Sequence, residues 1–169
     1  MQLLVRAASA LTASALVVAG TLGPAQASVR RVPEPNYSVS PGTHPGEYAN
    51  RIVARINDAR ARAGLRKVRV YQTCLDSHSE RWARHLAQSG RLVHRNQYRV
   101  LSACNLHWTG ETLARGAGGL SPRAMVRAWM HSPAHRAVLM KPRANLAGVA
   151  IRHNAQGRVV GVVNLGDPT

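Results

Sequence analysis

Ser121-Pro122-Arg123-Ala124-Met125-Val126-Arg127-Ala128-Trp129-Met130-His131-Ser132-Pro133-Ala134-His135-Arg136 contains the same start signal twice, eleven residues apart. Serine accepts a hydrogen bond from an orphan N–H of the first turn, and proline loses nothing at the first helical position. Ser121-Pro122 therefore opens a helix whose apolar stripe is Met125, Val126 and Trp129. Ser132-Pro133 ends it and opens a shorter helix running through Met140, with His135 in its first turn.

Upstream, Ile52, Val53, Ile56 and Ala59 recur at spacings of three and four, which predicts a helix from Glu47 to a stop at Gly64. Val68 to Tyr71 is a short apolar–polar alternation. Leu75, Trp82 and Leu86 share one face of a second helix that ends at Ser89-Gly90. Trp108 to Arg115 reads as a strand, followed by a turn at Gly116 to Gly119. Downstream, Leu146 to Arg152 and Val159 to Leu165 form a hairpin around a turn at Asn154 to Gly157. Helices and strands alternate without regular βαβ units, so the class is α+β.

The chain has 169 residues, enough for one domain with tails, and is 45% hydrophobic. It has no Phe, so three Trp and four Tyr supply the aromatic bulk. Lys and Arg total 23 against 7 acids, and only Lys67 and Lys141 are lysines. An Arg bias of this kind reflects base composition as well as function, so it does not mark each arginine as a ligand. The excess suits anionic cell-envelope polymers or lipid head groups. Nucleic acid is disfavoured by few stacking aromatics and no recognisable nucleic-acid module.

Residues 1–27 have the form of a signal peptide: a charged start with Arg6, an apolar run from Ala7 to Gly20, and a cleavage pattern at Ala25-Gln26-Ala27. The run is shorter than the roughly 20 residues a spanning helix needs. Cleavage after Ala27 would remove only Arg6 of the basic residues and leave a secreted chain of charge about +15. Residues 28–46, with Pro33, Pro35, Pro41 and Pro45, read as a flexible arm, and the folded domain spans 47–169. Cys74 and Cys104 are the only cysteines, and in an exported chain such a pair implies a disulfide.

Three residues outside the apolar stripes could carry chemistry: His94, Glu111 and His135. Two imidazoles and a carboxylate suit a divalent metal such as zinc, and equally a hydrogen-bond network around a buried acid. His131 and His135 have the spacing of a zinc-protease helix, but Ser132 stands where the general base belongs and Pro133 breaks the helix. His78 and His85, two turns apart, read as surface or half-buried side chains. No Gly-x-Ser-x-Gly element supplies a nucleophile, and both cysteines are used in the bridge.

From about Tyr48 to Gly166 the chain resembles the CAP (SCP-like) superfamily, which includes cysteine-rich secretory, antigen 5 and pathogenesis-related type 1 proteins. The similarity rests on Ile56 to Leu65, Trp82-Ala83, the Ser89-to-His94 segment, Gly110-Glu111-Thr112-Leu113-Ala114, Ala128 to Arg136, Asn145 to Val149 and Val163 to Gly166. The resemblance implies a three-layer α-β-α sandwich whose cavity is lined by His94, Glu111, Ser132 and His135, with zinc at His94 and His135 as one option. Ser132 stands where eukaryotic members have a second glutamate. Thr112 replaces the usual Asn, and Ala134 the usual Gly. It also implies an extracellular module binding a small lipid-like ligand or an envelope component without catalysis. The alternative is a weak peptidase using His94, Glu111 and His135 around a metal or water.

Overall fold

In a computed structural model the described residues are 45–70, 73–118 and 120–168. The expected signal peptide, and the arm up to residue 44, lie outside them. The elements are α1 (Pro45–Arg62), β1 (Arg69–Val70), α2 (Thr73–Ser89), α3 (Gln97–Ala103), β2 (Leu106–Gly116), α4 (Pro122–His131), α5 (Pro133–Leu139), β3 (Leu146–His153) and β4 (Val159–Pro168). The strands form one sheet in the order β1-β3-β4-β2, antiparallel except for the short parallel β1–β3 contact.

The layers follow from strand alternation, which sends successive side chains to opposite faces. Ala147, Ile151, Val159, Val163 and Leu165 pack with Ile52, Val53 and Ile56 of α1 and with Met125, Val126 and Trp129 of α4. Ala150, Val160, Val162 and Leu113 meet Ala83 and Leu86 of α2 on the opposite face. The expected α+β three-layer sandwich is the observed architecture. Leu75, Val100, Leu106 and Leu146 make a smaller cluster that seats α3.

Helix α1 begins at Pro45, two residues ahead of the expected Glu47, a shift within the usual uncertainty of helix ends. Its end is the predicted glycine stop. Gly64 has φ +68°, and the N–H groups of Gly64 and Leu65 donate to the carbonyls of Ala61 and Arg60 at 3.0 and 2.9 Å. That pairing is a Schellman cap, and the left-handed backbone suits glycine. Helix α3 was not legible in the apolar pattern because seven residues carry only one fully buried side chain, Val100. Its local signal is Asn96, whose Oδ1 accepts from the Tyr98 N–H at 2.9 Å as an N-cap.

Two polar residues of α1, one buried and one half-buried, fix the connections. Arg60 is fully buried and, among the described residues, has no carboxylate partner. Its Nη1 donates to the carbonyls of Leu139 (2.8 Å) and Lys141 (3.0 Å), its Nη2 to Ala144 (2.8 Å) and its Nε to Arg66 (2.8 Å). Asn57 meets Val68 through both amide atoms, donating to its carbonyl at 3.1 Å and accepting from its N–H at 2.8 Å. On the other face, α2 rests directly on β3: a Cβ on Gly148 would lie 2.3 Å from the Leu75 carbonyl carbon. Ser79 Oγ donates to the Gly148 carbonyl at 3.0 Å and accepts from Asn164 Nδ2 at 2.8 Å. Cys74 and Cys104 are disulfide-bonded, joining the start of α2 to the end of α3.

Replacing Arg60 with Met would remove the guanidinium donor from four carbonyls, of which Lys141 alone keeps a second one, the Ala144 N–H at 3.2 Å. We expect a stability loss of about 3 kcal/mol or more, read as a lower midpoint in guanidinium unfolding. Reduction of the disulfide, which closes a loop of sequence separation 30, should lower stability by roughly 3–4 kcal/mol. Identical unfolding curves with and without reductant would rule that contribution out.

Candidate functional site

Strand β2 is the free edge of the sheet, and Glu111 projects from it opposite Asn164 of β4. Helix α4 closes part of that edge: Trp129, buried, donates from Nε1 to the Leu113 carbonyl at 2.8 Å. The Ser132-Pro133 break then turns α5 so that His135 comes over β2. The loop after α2 arrives beside it, held where Trp82 Nε1 donates to the Val93 carbonyl at 3.2 Å and where Arg115 donates to the Gly90 carbonyl.

These elements bring residues separated by some forty positions together. His94 Nδ1 lies 2.9 Å from Glu111 Oε1, and the His94 and His135 rings are 6.0 Å apart, tilted by 44°. The Glu111 side chain is 1% exposed and that of His94 is 54% exposed, so the histidine covers a buried acid. Ser132 is placed differently. It is the N-cap residue of α5, half-buried, and its side chain makes no capping hydrogen bond.

The charge that balances Glu111 comes from Arg95, which the sequence reading did not single out. Its backbone N–H reaches Glu111 Oε1 at 3.4 Å and its Nε lies 3.4 Å from Oε2. The guanidinium also contacts His78 Nδ1 at 3.1 Å and lies 5.9 Å from the centre of the Trp82 ring. His78 is half-buried, as expected, and joins this network, while exposed His85 stacks on Trp82 at 4.8 Å. The available signal was the rule that a buried carboxylate needs a cation or several donors. It does not say which of many arginines serves.

The contact between Arg95 and Glu111 is an ion pair without hydrogen-bond alignment. Arg95 Nε and Nη2, Glu111 Oε2 and Gln97 Nε2 are all buried without a hydrogen-bond partner. Burial pushes the Glu111 carboxyl above its ordinary range, while His94 and Arg95 pull it down. Burial likewise lowers Arg95, against the pull of Glu111. Desolvation dominates for both partners, so the pair adds little to fold stability. Costly buried charge of this kind is more typical of binding and catalytic sites than of structural cores.

The donor set fits a divalent metal poorly. Among the described residues, the one group of three candidate ligands within 4.8 Å of one another is Cys74, His78 and Cys104, and its two sulfurs are bonded to each other. At His94 and His135 two imidazoles are offered, Ser132 supplies no carboxylate, and Glu111 is already engaged by a cation. His131 belongs to α4, with its Nδ1 against the Arg127 carbonyl at 2.8 Å, and does not face a metal site with His135. It lines an open cleft of about 450 Å³ between α4 and α5, with Met130, Arg136 and Met140.

His78 and His135 are held below the usual imidazole value of 6.5. The main cause is burial, with Arg95 and Arg81 adding at His78 and His94 adding at His135. A depressed imidazole contributes stability that is present above its unfolded value and lost as pH falls through its folded one. Glu111, shifted upward, contributes in the opposite sense, with stability lost as pH rises. We expect Tm to drop between about pH 7 and pH 5. The double substitution His78→Gln, His135→Gln should flatten that drop, and an unchanged slope would show that these rings do not drive it.

The cysteine-rich secretory protein (CAP) family model matches residues 53–165. Among solved structures, an outer surface protein of Borrelia burgdorferi superposes with a TM-score of 0.67 at 19% identity, covering 75% of this chain and 97% of its own. An extracellular SCP-domain protein of Bacillus anthracis gives 0.62 at 15%, covering 76% of this chain and 45% of its own. A cysteine-rich secretory protein of Staphylococcus aureus gives 0.58 at 13%, covering 75% and 40%. This chain spans less than half the length of the latter two. No curated protein sequence matches it. The family match extends from α1 to β4 and takes in His94, Glu111 and His135, so the chain belongs to the cysteine-rich secretory protein (CAP) family.

Proposed function

We propose that the protein is a non-catalytic extracellular binding module that holds the polar end of a small, lipid-like envelope ligand at the Glu111 site. The observation that carries this reading is the set of buried polar atoms there without a hydrogen-bond partner: Arg95 Nε and Nη2 and Glu111 Oε2. Buried polar groups are normally paired. Guanidinium donors beside a carboxylate oxygen match a head group that carries both anionic and hydroxyl oxygens. His94, more than half exposed, is the side chain able to turn aside and admit it. The proposed export signal and the positive charge place such a ligand in the cell envelope.

The peptidase alternative asks Glu111 to act as a general base. Its Oε1 is occupied by His94 and the Arg95 N–H, and its Oε2 faces the Arg95 guanidinium. No serine or cysteine nucleophile stands in the network.

Native mass spectrometry of protein secreted by its own host tests the reading. A small-molecule adduct is expected on the wild type and should be depleted at least about tenfold in Arg95→Met and Glu111→Gln. A peptide library offered to the same protein should remain intact. Cleavage that disappears in Glu111→Ala would replace this reading with the peptidase. Zinc binding that weakens in the double substitution His94→Ala, His135→Ala would restore the metal option.

A further inference from the structure

The large hydrophobic residues exposed among the described residues are Leu92 (39%), Val93 (40%) and Tyr98 (80%). They fall within seven residues, on the loop after α2 and the first turn of α3. Isolated exposed apolar residues are ordinary, but a cluster marks an interaction surface. This cluster is not a consequence of a loose loop. The carbonyl of Val93 is held by Trp82, that of Gly90 by Arg115, and the Arg95 N–H and His94 ring by Glu111, while Asn96 caps α3. The backbone is tied down on its inner side, and the apolar side chains are presented outward.

The charge around them has one sign. No acidic residue occurs between Glu80 and Glu111, and Glu111 is buried. Arg91 and Arg99 flank the apolar residues, both exposed, with neither guanidinium in an ion pair among the described residues. Apolar tips among cations that lack counter-charges are the pattern of a surface that seats at the boundary of head groups and acyl chains. A soluble anionic polymer would satisfy the arginines and leave Leu92, Val93 and Tyr98 in water.

We propose that residues 91–99 form a docking edge for an anionic lipid bilayer, with Leu92, Val93 and Tyr98 entering the interface and Arg91 and Arg99 meeting lipid phosphates. This goes beyond the head-group site at Glu111 and does not require it. The edge carries His94 and Arg95, so docking would bring the mouth of that site to the membrane surface.

The test is co-sedimentation of the secreted protein with vesicles of phosphatidylcholine alone and of phosphatidylcholine mixed with phosphatidylglycerol. Binding is expected to the mixed vesicles. The triple substitution Leu92→Ser, Val93→Ser, Tyr98→Ser should lower the partition coefficient at least about tenfold. A control that removes charge elsewhere, Arg55→Gln with Arg127→Gln, should change it less than about threefold. All five changed side chains are outside the core, and unchanged Tm values check that each variant folds. Vesicle binding unaltered by the triple substitution would overturn the proposal, as would equal losses in the control, or no vesicle binding alongside tight binding to soluble polyphosphate. Loss of vesicle binding in the triple variant while its mass-spectrometric adduct persists would separate docking from the Glu111 site.

Discussion

A buried guanidinium organises the end of α1, the end of α5 and the entry to β3. Among the described residues Arg60 has no acid beside it, so its charge is dispersed over four main-chain carbonyls. The planar fork of arginine carries five N–H donors and so serves all four acceptors, whereas a lysine has only three donors. Carbonyls at a helix C-terminus are electronegative, and the end of α5 is one of them. Because α5 carries His135, the position of that ring is set by a residue in the first helix of the domain. Burial, and secondarily neighbouring Arg66, lower the Arg60 pKa, the expected sign for a cation that has exchanged water for carbonyls.

The Glu111 site follows the same logic with less complete compensation. There the buried charge is an acid on an edge strand, and the compensating groups arrive on a loop and a short helix. Arg95 is close enough for Coulomb attraction and misaligned for hydrogen bonding, so several polar atoms remain unspent. At Arg60 every donor group is used and the result is rigid architecture. At Glu111 the balance is left open, which suits recognition of something outside the chain.

The element order and the α+β class were readable from sequence because their determinants are periodic or chemically distinctive, whereas the three-layer sandwich was implied by the CAP resemblance. The stripe of α1, the two Ser-Pro starts, the glycine at position 64 and the final hairpin each correspond to an observed element. Short α3 lay below the length at which apolar periodicity speaks, though Asn96 announces it locally. His94, Glu111 and His135 could be nominated but not assembled, because nothing in their spacing encodes the edge-strand geometry that joins them. Arg95 was hidden for a different reason: in a chain so rich in arginine, the one that neutralises a buried acid is distinguished only by tertiary packing.

The disulfide has a further consequence when seen as a ring closure. The covalent circle from Cys74 to Cys104 contains His78, Trp82, the exposed 91–99 edge, His94 and Arg95, whereas Glu111 and His135 lie beyond it. A protease that cut the outward-facing loop at Leu92 or Val93 would divide this circle without releasing either piece. His78 and Trp82 would stay with one arm and His94 and Arg95 with the other, both still tethered to the rest of the molecule. The outward-facing loop is therefore also a place where a single backbone break need not cost any component of the site.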